Sequence, residues 1–134
     1  TEEGIFSGTF SNSVVTKKEL KGYFIVDENK ISVKLYEYGS QEVKNPYSKD
    51  VLYNITVLDQ SKEKHYFYGG MRSKGNRIIF LNDEYEYEND ELIDMFNEEG
   101  ELSFYIKESD GMSEYYFTVD FTGFADAYKK LKEQ

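Results

Sequence analysis

Aromatic side chains recur at every second position in several short stretches of this 134-residue chain, which holds 13 Tyr and 10 Phe but no Trp. Alternate residues of a β-strand share one face of a sheet, so this spacing is typical of strands that bury their rings on a common side. The pattern predicts a fold built mainly of β-strands. It does not indicate a reaction.

Eight segments alternate in this way or are short apolar runs bounded by turn residues. We predict strands at 5–10, 20–26, 31–36, 53–57, 66–68, 77–81, 102–106 and 115–121. The sixth strand is expected to continue through 85–87 if the alternation there is structural. Asp27–Lys30 and Asp110-Gly111 predict hairpin turns, and the polar stretch 39–50 predicts one long connection.

Two segments change to helical spacing. Residues 90–98 predict a short helix with acidic residues in its first turn and a stop at Gly100. Residues 123–132 predict a C-terminal helix, with Thr122 as its cap and one apolar stripe. Helices do not alternate with the strands, so the sheet is expected to be antiparallel. We predict a single domain over 1–134: an antiparallel β-barrel or β-sandwich of about eight strands, with one short helix and a terminal helix.

The composition of the chain disfavours or excludes several classes of protein. The net charge of −10 disfavours binding to nucleic acid, and no apolar run reaches the length of about 18 residues that a transmembrane helix needs. The absence of Cys excludes disulfides and thiol nucleophiles. The chain begins with Thr1 rather than Met, from which we expect a trimmed bacterial precursor located outside the cytoplasm.

The sequence shows no set of residues that resembles a catalytic or cofactor site. His65 is the sole His and lacks an evident nucleophile nearby, so we interpret it as a surface residue on an edge strand. The spacing of the acidic residues does not match a calcium loop, and a zinc site at His65 would need carboxylates alone as its other ligands. We therefore expect no catalytic residue, no cofactor and no metal.

Three features suggest an interaction surface instead. Tyr side chains near the long connection and before Gly69 form a candidate aromatic platform, Arg residues flank the 74–76 turn, and a row of Glu would share one face if 84–88 were a strand. The candidate residues are Tyr47, Tyr66, Tyr68, Arg72, Arg77, Glu84, Glu86 and Glu88.

The leading hypothesis is a non-enzymatic binding module, either an exported bacterial protein or a trimmed lipoprotein, with a protein or a saccharide as its partner. One alternative is an acidic cytoplasmic inhibitor or immunity protein that occupies a basic enzyme site. Another is a carrier that holds a small apolar ligand inside a barrel. An internal cavity would favour the carrier, and a filled interior would argue against it.

Overall fold

A computed structural model describes the backbone of residues 2–11, 18–27, 30–38 and 41–133. Side chains are described for Thr9 and, within those ranges, from Glu19 onward. The elements in chain order are β1 (Glu2–Ser11), β2 (Lys18–Asp27), β3 (Lys30–Glu37), β4 (Gln41–Glu42), β5 (Val51–Leu58), β6 (Lys64–Met71), β7 (Ile78–Leu81), α1 (Asp90–Asn97), β8 (Glu101–Glu108), β9 (Glu114–Asp120) and α2 (Phe124–Lys132).

The strands form one antiparallel sheet shaped as a nearly closed barrel. Its order is β2-β1-β9-β8-β5-β6-β7-β3-β4, and pairing of β2 with β3 brings the sheet back on itself. Among neighbouring strands of the barrel, β3 and β7 share the shortest described pairing, which consists of Ser32–Ile79 and Val33–Ile78. Eight strands enclose the interior, and the two-residue β4 pairs with Tyr36 and Glu37 at the end of β3. This confirms the predicted fold class and decides between barrel and sandwich.

Phenylalanine rings fill the centre of the barrel, as the alternating pattern predicts. Phe24 is 1% exposed, and its ring centroid lies 5.0–5.9 Å from those of Phe80, Phe96, Phe104, Phe117 and Phe121. Alternate residues of each strand reach this cluster because successive side chains point to opposite faces. An eight-stranded barrel is just wide enough for side chains to fill it.

The two helices close one end of the barrel. Phe96 of α1 is fully buried and stacks on Phe121 with the ring centroids 4.1 Å apart. After β5 ends, Gln60 donates hydrogen bonds from Nε2 to the carbonyls of Met95 and Glu99, and so holds the C-terminal end of α1. Both predicted helices are confirmed, within a residue at each end.

The predicted cap of α2 is wrong. Gly123 is the N-cap residue, while the Thr122 hydroxyl donates to Asp120 Oδ1 at 2.7 Å instead. The backbone N–H of Ala125 is satisfied by Glu99 Oε2 at 3.0 Å. A side chain that follows α1 therefore caps α2, a relationship between segments distant in sequence.

Residues 82–88 form a compact turn, so the expected continuation of the strand through 85–87 is wrong. Asn82 Oδ1 accepts the N–H groups of Glu84 and Glu86, and Asn82 Nδ2 donates to the carbonyl of Glu88. Tyr85 has a φ of 62°, in the left-handed region. The Asn82 side chain thus satisfies backbone N–H and C=O groups that would otherwise pair with a neighbouring strand.

The predicted hairpins are present. β2 pairs with β3 up to Asp27 and Lys30, although residues 28–29 of the turn lie outside the described ranges. β8 pairs with β9 on either side of Asp110-Gly111, and Glu108 N–H donates to Ser113 O at 3.0 Å. Of the predicted 39–50 connection, residues 41–50 are described; they include β4 and lead to β5.

Candidate functional site

The end of the barrel opposite the helices carries inward-facing polar side chains, which we call the barrel mouth: Glu37, Tyr53, Glu108 and Tyr115. Glu37 follows Leu35 on the same face of β3, and Glu108 follows Ile106 on the same face of β8. Both carboxylates are half-buried, whereas the two Tyr side chains are each only 4% exposed. β3 and β8 thus place the carboxylates of Glu37 and Glu108 at the edge of the aromatic core.

One hydrogen bond crosses the mouth. The Tyr115 hydroxyl donates to Glu37 Oε2 at 3.2 Å, although β1 and β2 separate β9 from β3 in the sheet. Burial raises the pKa of Glu37, and the hydrogen bond from Tyr115 opposes that rise. Burial and then the charge of Glu37 raise the pKa of Tyr115. The phenol therefore stays neutral and remains a hydrogen-bond donor.

Tyr53 links the mouth to Glu108. It pairs in register with Glu108, and its pKa is raised by burial first and then by the charges of Glu108 and Glu37. The charges of Glu37 and Glu108 therefore both act on the neutral Tyr53 phenol at this end of the barrel.

A cavity of about 300 Å³ opens beside the mouth and shares Glu108 with it. Its lining residues are Tyr47, Lys49, Asp50, Val51, Leu52, Glu108 and Asp110. Three acidic residues and one Lys therefore line the cavity, together with Tyr47, which is 59% exposed. Carboxylates and an exposed ring are the groups that attract an organic cation. We call this feature the acidic cavity.

Asn45 fixes the wall of the acidic cavity that carries Tyr47. It is 2% exposed, and its Nδ2 donates to the carbonyls of Lys49, Met71 and Arg72 at 2.7–3.2 Å. Its Oδ1 accepts the N–H of Tyr47 at 3.0 Å. A buried amide with all of these partners holds the connection against the end of β6, so Tyr47 sits on an ordered backbone.

Further hydrogen bonds join the two sides of the acidic cavity to the barrel. Asp50 Oδ1 accepts the N–H of Ser73 at 3.0 Å, and the Ser73 hydroxyl donates to the carbonyl of Tyr47 at 3.0 Å. On the opposite side, Ser109 N–H donates to Leu52 O at 2.9 Å. These contacts define the cavity in the protein without a ligand, which lowers the entropic cost of binding.

Of the predicted interaction residues, Tyr47 alone lines the acidic cavity. Arg72 and Arg77 are exposed at either side of the 73–76 turn, and only the backbone of Arg72 takes part in holding the connection. Glu84, Glu86 and Glu88 are exposed in the compact turn rather than aligned on one strand face. The structure therefore separates residues that the sequence suggested as one surface.

Tyr66 and Tyr68 lie on the outer face of the barrel. Tyr66 is 71% exposed, and Tyr68 stacks on Tyr85 with the ring centroids 4.4 Å apart. The register places Tyr66 in a row of uncharged residues that crosses five strands, which we call the tyrosine row: Thr9, Tyr116, Tyr105, Thr56 and Tyr66. Its rings are exposed, unlike those of the core.

His65 is half-buried, with its side chain 27% exposed, rather than the surface residue that we predicted. Its predicted edge position agrees with the described pairing, because His65 pairs with Val57 of β5 while β7 pairs only with residues 68–70 of β6. Its Nε2 is 2.8 Å from Asp59 Oδ2 and its Nδ1 is 3.2 Å from Glu91 Oε2. These carboxylates raise the pKa of His65, Asp59 most, against burial, and the hydrogen bond from His65 lowers the pKa of Asp59.

Sequence reasoning missed the barrel mouth, although a signal was present. Glu37 continues the alternation of Ile31, Val33 and Leu35, and Glu108 continues that of Leu102, Phe104 and Ile106. A carboxylate in phase with buried residues at a strand end marks an inward-facing charge. That signal identifies the strand face, but the partner across the barrel comes only from the fold.

Neither helix in the described part of the chain is long and apolar enough to cross a membrane. Comparisons of the chain with protein-family models, with curated proteins and with solved structures found no match.

Proposed function

We propose that this protein is a non-enzymatic binding module that receives a positively charged group in the acidic cavity. The observation that carries the proposal is the convergence of Asp50, Glu108 and Asp110 on one cavity beside a single Lys. The favoured occupant is a Lys or Arg side chain of a protein partner. The net charge of −10 would speed the approach of such a partner.

The size of the acidic cavity suits this occupant. Its volume of about 300 Å³ is at the low end of the range for small-molecule sites. It lies at the barrel rim, whereas the centre of the barrel is filled by the Phe24 ring cluster in the described part of the chain. That filling argues against the alternative of an apolar-ligand carrier. The acidic inhibitor remains compatible with the proposal, through the acidic cavity rather than through Glu84, Glu86 and Glu88.

The proposal is tested by mapping amide chemical shifts during titration with Nα-acetyl-lysine methylamide and Nα-acetyl-arginine methylamide. We expect the largest changes at Leu52, Glu108 and Asp110, and weaker binding in Glu108→Gln and Asp110→Asn. Glu84→Gln removes the same charge from the compact turn and serves as the matched control. Changes spread over the whole acidic surface, or equal weakening by the control, would refute a specific site.

The tyrosine row favours a second candidate function, binding of a saccharide. It carries no charge although 31% of the residues of this chain are charged, and its Tyr105 and Tyr116 rings lie 4.5 Å apart. Exposed rings with neighbouring hydroxyls suit stacking and hydrogen bonding to sugars. Co-sedimentation with cellulose and chitin tests this function. Tyr66→Ala and Tyr105→Ala should abolish it and Tyr47→Ala should not, whereas no sedimentation of the wild-type protein would exclude it for these polymers.

A location outside the cytoplasm stays a prediction. The coding sequence upstream of the Thr1 codon tests it directly. A secretion leader that ends just before Thr1 would support export, and an uninterrupted cytoplasmic domain there would contradict it.

A further inference from the structure

Three potential metal ligands converge at the helix-covered end of the barrel, away from the acidic cavity. Asp59 follows β5, His65 lies near the start of β6, and Glu63 lies in the turn between them. One ligand atom from each residue lies within 4.8 Å of the others. The hairpin between two paired strands thus gathers one imidazole and two carboxylates.

The turn itself presents Asp59 toward the imidazole. Asp59 Oδ1 accepts the N–H groups of Ser61 and Glu63 at 2.8 and 2.9 Å. This leaves Oδ2, which lies 2.8 Å from His65 Nε2. The Asp59 carboxylate is 16% exposed and His65 27%, so both side chains are held by the hairpin rather than free in solvent.

Glu91 supplies an orienting contact from a different element. Its Oε2 lies 3.2 Å from His65 Nδ1, and it belongs to the first turn of α1. A metal-binding His usually donates its second ring N–H to an outer carboxylate, the part that Glu91 would play at Nδ1. Nε2 is hydrogen-bonded to Asp59 Oδ2 in this structure, so a metal would replace that hydrogen bond and bind both atoms.

We propose that Asp59, Glu63 and His65 form a site for a divalent transition-metal ion of the zinc type, with Glu91 as the outer hydrogen-bond acceptor. The nitrogen ligand favours Zn²⁺, Co²⁺ or Ni²⁺ over Ca²⁺ and Mg²⁺, which select oxygen. When the metal binds, the Nε2–H bond breaks, a metal–nitrogen bond forms and one proton passes to water. Water completes the tetrahedral set.

The test is a titration of the tag-free protein with ZnCl₂, followed by the imidazole ¹⁵N resonances and by the thermal unfolding midpoint. We expect the Nε2 resonance of His65 to move on metal binding and the midpoint to rise. His65→Gln should abolish both responses. Glu91→Gln leaves all three ligands in place, and it should weaken binding about ten- to a hundredfold, the usual effect of losing an outer partner.

Control variants separate a metal site from an ion pair. Glu63 makes no described hydrogen bond to either nitrogen of His65. Glu63→Gln should therefore weaken zinc binding while the contacts of His65 with Asp59 and Glu91 remain. Glu84→Gln should have no effect on zinc binding. An Nε2 resonance that does not move at millimolar zinc, or equal zinc binding by wild type and His65→Gln, would show that the cluster is an ion pair only.

Discussion

The Tyr115 hydroxyl reaches across the barrel to Glu37, with Oη and Oε2 3.2 Å apart, and joins two strands that are not neighbours in the sheet. Tyr115 lies two residues before Phe117, so the contact sits directly above the aromatic core. A buried phenol needs a partner, and a carboxylate is a strong acceptor. This hydrogen bond therefore covers the aromatic core and holds the Glu37 carboxylate at the barrel mouth.

Glu37→Gln should stabilise the protein at neutral pH. The half-buried carboxylate costs free energy in its charged form, and the Gln carbonyl still accepts the Tyr115 hydrogen bond. Since the site is partly solvated, we expect the free energy of unfolding to rise by less than about 1 kcal/mol. Urea unfolding at pH 7 measures the difference, with Glu84→Gln as the exposed control.

The pH dependence of that difference follows from the raised pKa of Glu37. A carboxyl whose folded pKa exceeds its ordinary value of 4.5 contributes its stability fully below 4.5 and loses it as pH rises through the folded value. The gap between Glu37→Gln and wild type should therefore be small below pH 4.5 and grow above it. A gap that widened toward acid would contradict the burial of this charge.

Gly69→Ala should destabilise the barrel strongly, whereas Gly70→Ala should not. A Cβ at Gly69 would lie 2.8 Å from Ile55 Cδ1 and 2.9 Å from Ile78 Cγ2, in the packed interior. At Gly70 the nearest atom, Leu81 Cδ1, is 3.5 Å away. We expect a loss of about 1–3 kcal/mol for Gly69→Ala, from overpacking. Urea unfolding of the two variants checks this, and equal stability would place Gly69 outside the core.

Glu99→Ala should loosen the terminal helix without unfolding the barrel. The Glu99 carboxylate accepts the Ala125 N–H at 3.0 Å, and a lost cap costs about 0.5–2 kcal/mol. Glu99→Gln retains an acceptor oxygen and is the matched control. Amide hydrogen exchange should accelerate at Ala125 in Glu99→Ala only, while exchange at Phe104 stays slow. Unchanged exchange at Ala125 would show that the cap is not needed.

Strands were predictable from the sequence where hydrophobic residues alternate with polar ones. β3 is the clearest case, because Ile31, Val33 and Leu35 alternate with Ser32 and Lys34. The 82–88 segment shows the same alternation, yet Asn82 turns it by local hydrogen bonds that a period-two pattern does not register. The Asn82 side chain competes with a neighbouring strand for the same backbone groups, and a turn forms there instead of a strand.

The candidate sites were less predictable because they depend on contacts between distant segments. Tyr47 was selected from the sequence as an aromatic in the long connection, and the structure places it in the acidic cavity. Asp50 precedes β5, Glu108 ends β8 and Asp110 follows it, and only the pairing of β5 with β8 brings them together. The surroundings of His65 could not be predicted because Glu91, whose carboxylate contacts its ring, belongs to the first turn of α1, distant in sequence.

The most direct test of the proposed function compares two probes of nearly the same shape, Nα-acetyl-lysine methylamide and Nα-acetyl-norleucine methylamide, by NMR titration of the wild-type protein at 20 mM and 500 mM NaCl. The two probes differ by the ammonium group, so any preference measures recognition of charge. The account predicts that the lysine probe binds at the acidic cavity, that added salt weakens its binding, and that Glu108→Gln/Asp110→Asn removes its advantage over the norleucine probe. Equal binding of the two probes at low salt, or a lysine preference that survives in the double variant, would contradict the account.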